Sequence, residues 1–273
     1  MAIGGSCLAT SWAGIYGWTR SLGQLFFLVR HGAALSISAL VGGLATGLVP
    51  GGMVSILITA GPTREYLDDV RFLSNGSTGR MGFALAEAAM QQGHEPVLVL
   101  GPVESTPPQG VRVLPVTSAL EMRDAAERCF AQCQVAIAAA AVADWRPAHR
   151  NPGKPSRQGA PVGVERLELV LNPDIVAGLA DHKGDRVVVG FALESAAASM
   201  DQAVARGRDK LQRKQLDLCI CNRSDAIGSA ASETVLLFSD GSRRDFGPQD
   251  KSVTAAAIVR IAVSLYEQRQ RSS

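Results

Sequence analysis

Three stretches of this sequence put chemically useful residues where a short aliphatic run gives way to polar ones. The first reads Thr59-Ala60-Gly61-Pro62-Thr63-Arg64-Glu65 and continues as Arg71-Phe72-Leu73-Ser74-Asn75-Gly76-Ser77-Thr78-Gly79-Arg80-Met81-Gly82 into a helical pattern. A segment rich in glycine, serine and threonine that opens a helix offers backbone amides and the positive helix pole to an anion. The plainer reading is a long structural turn with a helix cap. It is not the dinucleotide fingerprint: no G-x-G-x-x-G follows directly from the strand, and the next strand ends in Leu100-Gly101, where a ribose-binding acid would stand.

The second stretch is Ala141-Val142-Ala143-Asp144-Trp145-Arg146-Pro147, with Lys154 in the loop beyond it. An acid at a strand end can hold a ribose hydroxyl or a metal-bound water, and a lysine on a flexible arm can close over triphosphate oxygens as a point charge. A solvated loop lysine is the ordinary alternative, although lysine is scarce here: 5 of the 27 basic residues are lysine and the other 22 arginine. The third stretch holds Lys210, Lys214 and Asp217 at i, i+4 and i+7, so the two lysines share one helix face, solvated or entering a site. Phe191, just after another aliphatic run, either stacks on a base or packs in the core.

The elements that must position these residues alternate β-branched runs with helical patterns from Val54 onward. That pattern predicts an α/β, Rossmann-like, mostly parallel sheet flanked by helices on both faces, with a small β-hairpin extension. Strands are expected at 54–59, 96–100, 111–116, 135–140, 166–171, 187–190 and 218–221. The uncharged run at 135–140 reads as a central strand buried on both faces. Helices are expected at 81–92, closed by Gly93, and up to 132 from a Ser118/Glu121 capping box. A third should start at Asn172 as cap with Pro173 in its first position, and others at 200–215 and 254–270. The stretch 144–163, with four prolines and no periodicity, reads as a mobile exposed loop. Asp240-Gly241 suggests a two-residue turn between strands at 233–238 and 243–246.

With 47% hydrophobic and 19% charged residues in 273, a disordered or collagen-like chain is excluded. The net charge of +2 carries no nucleic-acid footprint. Cys7, Cys129, Cys133, Cys219 and Cys221 form no CxxC pair, which fits a reducing, cytoplasmic setting with buried thiols and without structural disulfides. Residues 1–52 contain no acid and hold an apolar run at 33–49, broken by Gly42, Gly43 and Gly47. That segment is an apolar anchor, a loosely packed extension, or translated upstream sequence before a start at Met53; the last is favoured because Met53 directly precedes a strong strand. Residues 53–273 are then one catalytic domain.

Six segments occurring in order carry a resemblance to phosphopantothenoylcysteine synthetase, also called phosphopantothenate-cysteine ligase, in its stand-alone form: ITAGPTRE (58–65), VRFLSNGSTGRMG (70–82), AAVAD (140–144), NPDIV (172–176), GFALE (190–194) and KLQRKQLD (210–217). The resemblance implies a ligase that joins 4'-phosphopantothenate to cysteine through an acyl nucleotidylate, with CTP (or ATP) as co-substrate and Mg²⁺ bound through the triphosphate. It implies a nucleotide site lined by Ala138, Ala139, Ala140, Asp144, Pro173, Asp174, Ile175, Val176, Phe191, Lys210 and Lys214. It makes Asn75 and Lys154 catalytic, the first orienting the acyl intermediate and the second quenching phosphate charge. Arg71, Gly79 and Met81 would meet the substrate, Arg71 and the amides around Gly79 at its phosphate. A homodimer, through the hairpin region, and a separate phosphopantothenoylcysteine decarboxylase are the implied partners. Pro155, Ser156 and Arg157 follow Lys154 where many bacterial members carry further lysines. Two other classes compete: a nicotinamide-dependent reductase, which lacks its Tyr-x-x-x-Lys pair at Tyr16, Tyr66 and Tyr266, and a non-catalytic nucleotide-binding module.

Overall fold

A computed structural model of the chain describes residues 52–153, 166–223 and 231–272. The expectations for residues 1–51, for Lys154 and for the rest of its loop to Gly163 lie outside the described residues. An eight-stranded sheet runs in the order β12-β11-β10-β9-β6-β1-β4-β5. Its parallel part comprises β1 (Ser55–Ala60), β4 (Glu95–Leu100), β5 (Arg112–Pro115), β6 (Val135–Ala138), β9 (Val187–Glu194) and β10 (Leu218–Arg223). Counted along the chain, these six lie in the 3-2-1-4-5-6 order of the doubly wound dinucleotide-binding folds, with the switch point between β1 and β6. Two antiparallel strands, β11 (Ala231–Phe238) and β12 (Arg243–Asp250), extend the β10 edge.

Residue alternation along the strands sorts the core into two layers. Ile56, Ile58, Leu98, Val187, Val189, Leu218 and Ile220 face α1 (Arg80–Gln91) and α5 (Lys251–Ser272). Leu57, Val99, Val188, Cys219 and Cys221 face α2 (Ala119–Phe130), α3 (Ile175–Asp181) and α4 (Met200–Arg213). All twelve of those strand side chains are fully buried, which is what a parallel sheet covered on both faces requires. Gly82 brings α1 onto β1: a Cβ there would lie 2.2 Å from the Ala60 Cβ. Cys129, Cys133, Cys219 and Cys221 are free thiols, as expected. Among the described residues no helix is long and apolar enough to cross a membrane.

Several expected boundaries differ. β6 stops at Ala138, two residues early, and β9 runs four residues further than expected, to Glu194, so Phe191 lies inside the strand. Residues 144–163 are not all loop: β7 (Trp145–Pro147) pairs antiparallel with β8 (Leu169–Leu171), so the run at 166–171 is not a strand of the main sheet. A second small hairpin joins β2 (Arg64–Tyr66) to β3 (Phe72–Ser74). Asn172 does not cap α3. The proline after it biases it to extended backbone, and its Nδ2 instead donates to the Ala143 carbonyl at 2.8 Å. Asp174 takes over as cap, accepting the Ala177 N–H. The β11–β12 turn is not a two-residue turn either. Phe238 N–H donates to the Ser242 carbonyl and Gly241 N–H to the Phe238 carbonyl, so Ser239, Asp240 and Gly241 form a three-residue loop. Gly241 alone in it has positive φ, 89°, whereas a two-residue Asp-Gly turn requires positive φ at both residues.

Candidate active site

The loops that follow β1 and β6 are zipped together beyond the sheet. Ala141 N–H donates to the Gly61 carbonyl at 2.9 Å, Thr63 N–H to the Ala141 carbonyl at 3.3 Å, and Ala143 N–H to the buried Thr63 hydroxyl at 3.0 Å. Glu65, also buried, accepts the Ala119 N–H at 2.8 Å and so satisfies the start of α2. Much of the ITAGPTRE segment is therefore structural: it builds the floor from which the next loop rises.

That next loop crosses to β6. Asn75 Nδ2 donates to the carbonyls of Ala141 and Val142, both at 3.1 Å, so both amide protons are engaged in bracing the two loops. Ser77 N–H returns to the Asn75 carbonyl, and Gly79 caps α1 with φ of +74°, a left-handed conformation that favours glycine. No side chain caps α1 and its first turn holds no acid, so its positive pole stands at the loop without a carboxylate of its own turn.

Between this loop and the carboxyl ends of β6, β9 and β10 lies a cleft of about 460 Å³. Its walls are residues 75–82 and 139–142 with Phe191, Leu193, Lys210, Asn222 and Lys251. A larger hollow of about 730 Å³ runs along β5 and α2 and includes Ser55 and Glu95, at the amino ends of β1 and β4. Ligands of open parallel sheets bind at the carboxyl rim, which selects the smaller cleft.

The cleft brings together seven of the residues singled out from sequence: Asn75, Gly79, Met81, Ala139, Ala140, Phe191 and Lys210. Burial, and then the neighbouring Lys214 charge, pull the Lys210 ammonium below the ordinary lysine range. It donates to the Phe191 carbonyl. Phe191 packs against the core and also lines the cleft.

The other expected residues stand apart from the cleft wall. Ala138 is the last residue of β6, beneath it. Ile175 and Val176 are buried in the α2–α4 layer, because α3 turns its apolar face inward. Pro173 precedes the α3 cap, and Asp174 holds Lys214 at 2.5 Å, so both charges are spent on each other. Asp144 is exposed, its carbonyl accepting the Asn172 N–H. Arg71 is drawn aside by Asp68, which its Nε approaches at 2.6 Å.

Sequence reading missed Asn222 and Lys251. Asn222 Oδ1 is buried without a hydrogen-bond partner. Lys251 is one of five lysines and opens the last helix, yet nothing in its sequence neighbourhood points to the cleft, which lies far from it along the chain.

The dinucleotide fingerprint is excluded sterically as well as by sequence. A Cβ on Gly101 would lie 1.8 Å from the Pro62 carbonyl oxygen, so the place where a ribose-binding acid stands in dinucleotide folds is filled by backbone.

Comparison with known proteins places the fold in a family. The family model of the DNA/pantothenate metabolism flavoprotein C-terminal domain matches residues 53–265. The coenzyme A biosynthesis bifunctional protein CoaBC of Bacillus subtilis is 36% identical over 218 residues, covering 78% of this chain and 52% of that protein. CoaBC of Escherichia coli is 44% identical over 170 residues, 62% of this chain and 41% of that protein. The chain thus spans about half the length of the curated relatives it matches. The crystal structure of the C-terminal domain of CoaBC superposes with a TM-score of 0.66 at 31% identity, covering 80% of this chain and 97% of that one. The DNA/pantothenate metabolism flavoprotein from Streptococcus pneumoniae, at 21% identity and a TM-score of 0.67, shares the fold over 77% of this chain and 99% of its own. Family match, identity and fold agree: the chain belongs to the family of the DNA/pantothenate metabolism flavoprotein C-terminal domain.

Proposed function

We propose that this chain is a phosphopantothenate-cysteine ligase, joining 4'-phosphopantothenate to cysteine with a nucleoside triphosphate, CTP by preference over ATP. A carboxylate is a poor acyl donor until its oxygen becomes a good leaving group. In the first step a carboxylate oxygen attacks the α-phosphorus, the bond to the β-phosphate oxygen breaks, and pyrophosphate leaves. In the second, the cysteine amine attacks the acyl carbon, the C–O bond to the nucleoside monophosphate breaks, and the nitrogen loses a proton as the amide forms.

The observation that carries this reading is the convergence of Asn75, the start of α1, Ala139–Ala140, Phe191 and Lys210 on one cleft at the carboxyl rim. Lys210 supplies positive charge in a partly desolvated setting, where charge stabilisation is worth most. Lys154 is proposed to add its charge during pyrophosphate release. Asn75 exchanges one of its bonds to Ala141 or Val142 for the acyl carbonyl when substrate enters. Among the described residues no group of three or more His, Cys, Asp or Glu could hold a metal ion, and the cleft wall carries lysines and amides. That donor set fits an anion, so Mg²⁺ would be carried on phosphate oxygens and water, offsetting triphosphate charge.

Self-association is proposed as well. Phe72, Trp145, Leu169 and Leu171 are exposed on the two small hairpins, whose strands β2 and β7 pack together, whereas β12 presents Arg243, Arg244 and Asp245 outward. A second copy covering this apolar face makes the homodimer, in place of contact through β12. A phosphopantothenoylcysteine decarboxylase is the proposed partner, since the coenzyme A biosynthesis relatives are named bifunctional.

The test is incubation with 4'-phosphopantothenate, cysteine, Mg²⁺ and CTP or ATP in turn, following pyrophosphate and amide. Pyrophosphate formation that depends on the pantothenoyl acid is expected; no release with any nucleotide removes the proposal.

A further inference from the structure

β6 ends at Ala138, and residues 139–143 run on past the strand with an isolated bridge, Pro62 to Ala141, in place of a ladder. Two carbonyls of this stretch, those of Ala141 and Val142, are the acceptors that aim the exposed Asn75 amide. Whatever fixes these two peptide groups fixes the direction of Asn75.

Thr63 holds both. Its backbone N–H donates to the Ala141 carbonyl at 3.3 Å, the oxygen that also takes an Asn75 proton. Its hydroxyl accepts the Ala143 N–H at 3.0 Å. That N–H and the Val142 carbonyl belong to one trans peptide, a rigid plane in which N–H and C=O point opposite ways. Thr63 therefore grips one edge of the plane while Asn75 holds the other. The near end of Asn75 is tied to the same residue: Ser74, its chain neighbour, donates its hydroxyl to the Thr63 carbonyl at 2.7 Å. A buried hydroxyl that satisfies a backbone amide is ordinarily scaffold. Thr63 is fully buried, yet every polar group it has, N–H, C=O and hydroxyl, is engaged around one exposed amide.

Resting on the ligase reading above, we infer that Thr63 is a positioning residue for amide formation, with Ser74 as its second contact: it aims the Asn75 amide at the acyl carbonyl. The Ala141 oxygen keeps its Thr63 donor when Asn75 turns to substrate, so that exchange strands no acceptor. Without the hydroxyl the 142–143 peptide loses the bond that orients it, and Asn75 loses its direction while keeping its chemistry.

The experiment follows the two half-reactions separately, pyrophosphate release in a single turnover without cysteine and amide formation once cysteine is added. It compares wild type, Thr63→Val, Thr63→Ser and Ser74→Ala, alone and in an Asn75→Ala background, with thermal melts alongside. Thr63→Val should slow amide formation about ten- to a hundredfold and Ser74→Ala about three- to tenfold, while pyrophosphate release and the KM for the acid stay within about twofold. Thr63→Ser, which keeps the hydroxyl, should recover most of the rate. In the Asn75→Ala background Thr63→Val should add less than about twofold, because a residue that acts through another is not additive with it. Should Thr63→Val fail to fold, Ser74→Ala, at an exposed position, decides. Equal slowing of both half-reactions, unchanged amide formation, or an undiminished Thr63→Val effect without Asn75 overturns the assignment. If wild type releases no pyrophosphate with any nucleotide, the ligase reading itself fails; a competent wild type with indifferent variants sinks the Thr63 role alone.

Discussion

Lys214 Nζ lies 2.5 Å from Asp174 Oδ2, and the other oxygen of that carboxylate caps α3 through the Ala177 N–H. This pair ties the end of α4 to the start of α3 across the NPDIV and KLQRKQLD segments, and it separates the roles of two lysines that share a helix face. Lys214 is a strut, and Lys210, one turn earlier, reaches the cleft.

Lys214→Met should therefore lower stability by about 1–2 kcal/mol while leaving pyrophosphate release near wild type per folded molecule. Lys210→Gln should do the reverse, cutting release by about a hundredfold with little change in melting temperature. Calorimetry alongside the pyrophosphate assay checks both, and equal activity losses in the two variants would contradict the division.

Asn75→Asp sets a carboxylate against the Ala141 and Val142 carbonyls and removes the donor expected at the acyl carbonyl. The acyl nucleotidylate should still form, with pyrophosphate released once per site, and then persist because amide formation stalls. Rapid-quench detection of the intermediate reads this directly; loss of the first half-reaction as well would assign Asn75 to activation.

Asp68 accepts the backbone N–H groups of Arg71 and Val70 and then the Arg71 side chain, and these bonds hold its pKa near 2, below the ordinary 3.8. A depressed folded-state value means stability that is fully present above about pH 4 and lost as pH falls through about 2. Asp68→Asn should melt lower than wild type at neutral pH, and the two curves should converge near pH 2. A constant gap from pH 7 to pH 2 would refute the linkage.

Asp217 is buried, with Lys183 at 2.9 Å, Arg269 at 2.7 Å and the Val188 N–H at 2.7 Å. Removing it takes the carboxylate away from two cations and leaves a buried amide without its acceptor. Asp217→Ala should cost about 3 kcal/mol, or about 6–12 °C in a domain of this size. Activity per folded molecule should hold.

If the hairpin face joins two copies, Trp145→Asp should convert a dimer to a monomer in light scattering, because it places a charge inside an apolar contact. A dimer that survives this change, and dissociates with substitutions on β12, would move the interface.

Local patterning determined the layers of this protein. The uncharged run at 135–140 signalled a strand buried on both faces, formed over 135–138, and the Ser118 cap before α2 was legible because its Oγ accepts an amide three residues away. Seven of the residues picked out from the motifs line one cleft. Tertiary structure decided what local signals do not encode. Pairing of Trp145–Pro147 with Leu169–Leu171 bridges more than twenty residues, so no period within either run announces it. The pairing of Asp174 with Lys214 and of Arg71 with Asp68 is set by the folded chain and not by the motifs that contain them. Lys251 reaches the cleft because α5 docks beside α1 across the whole length of the domain, a juxtaposition created by packing rather than by spacing.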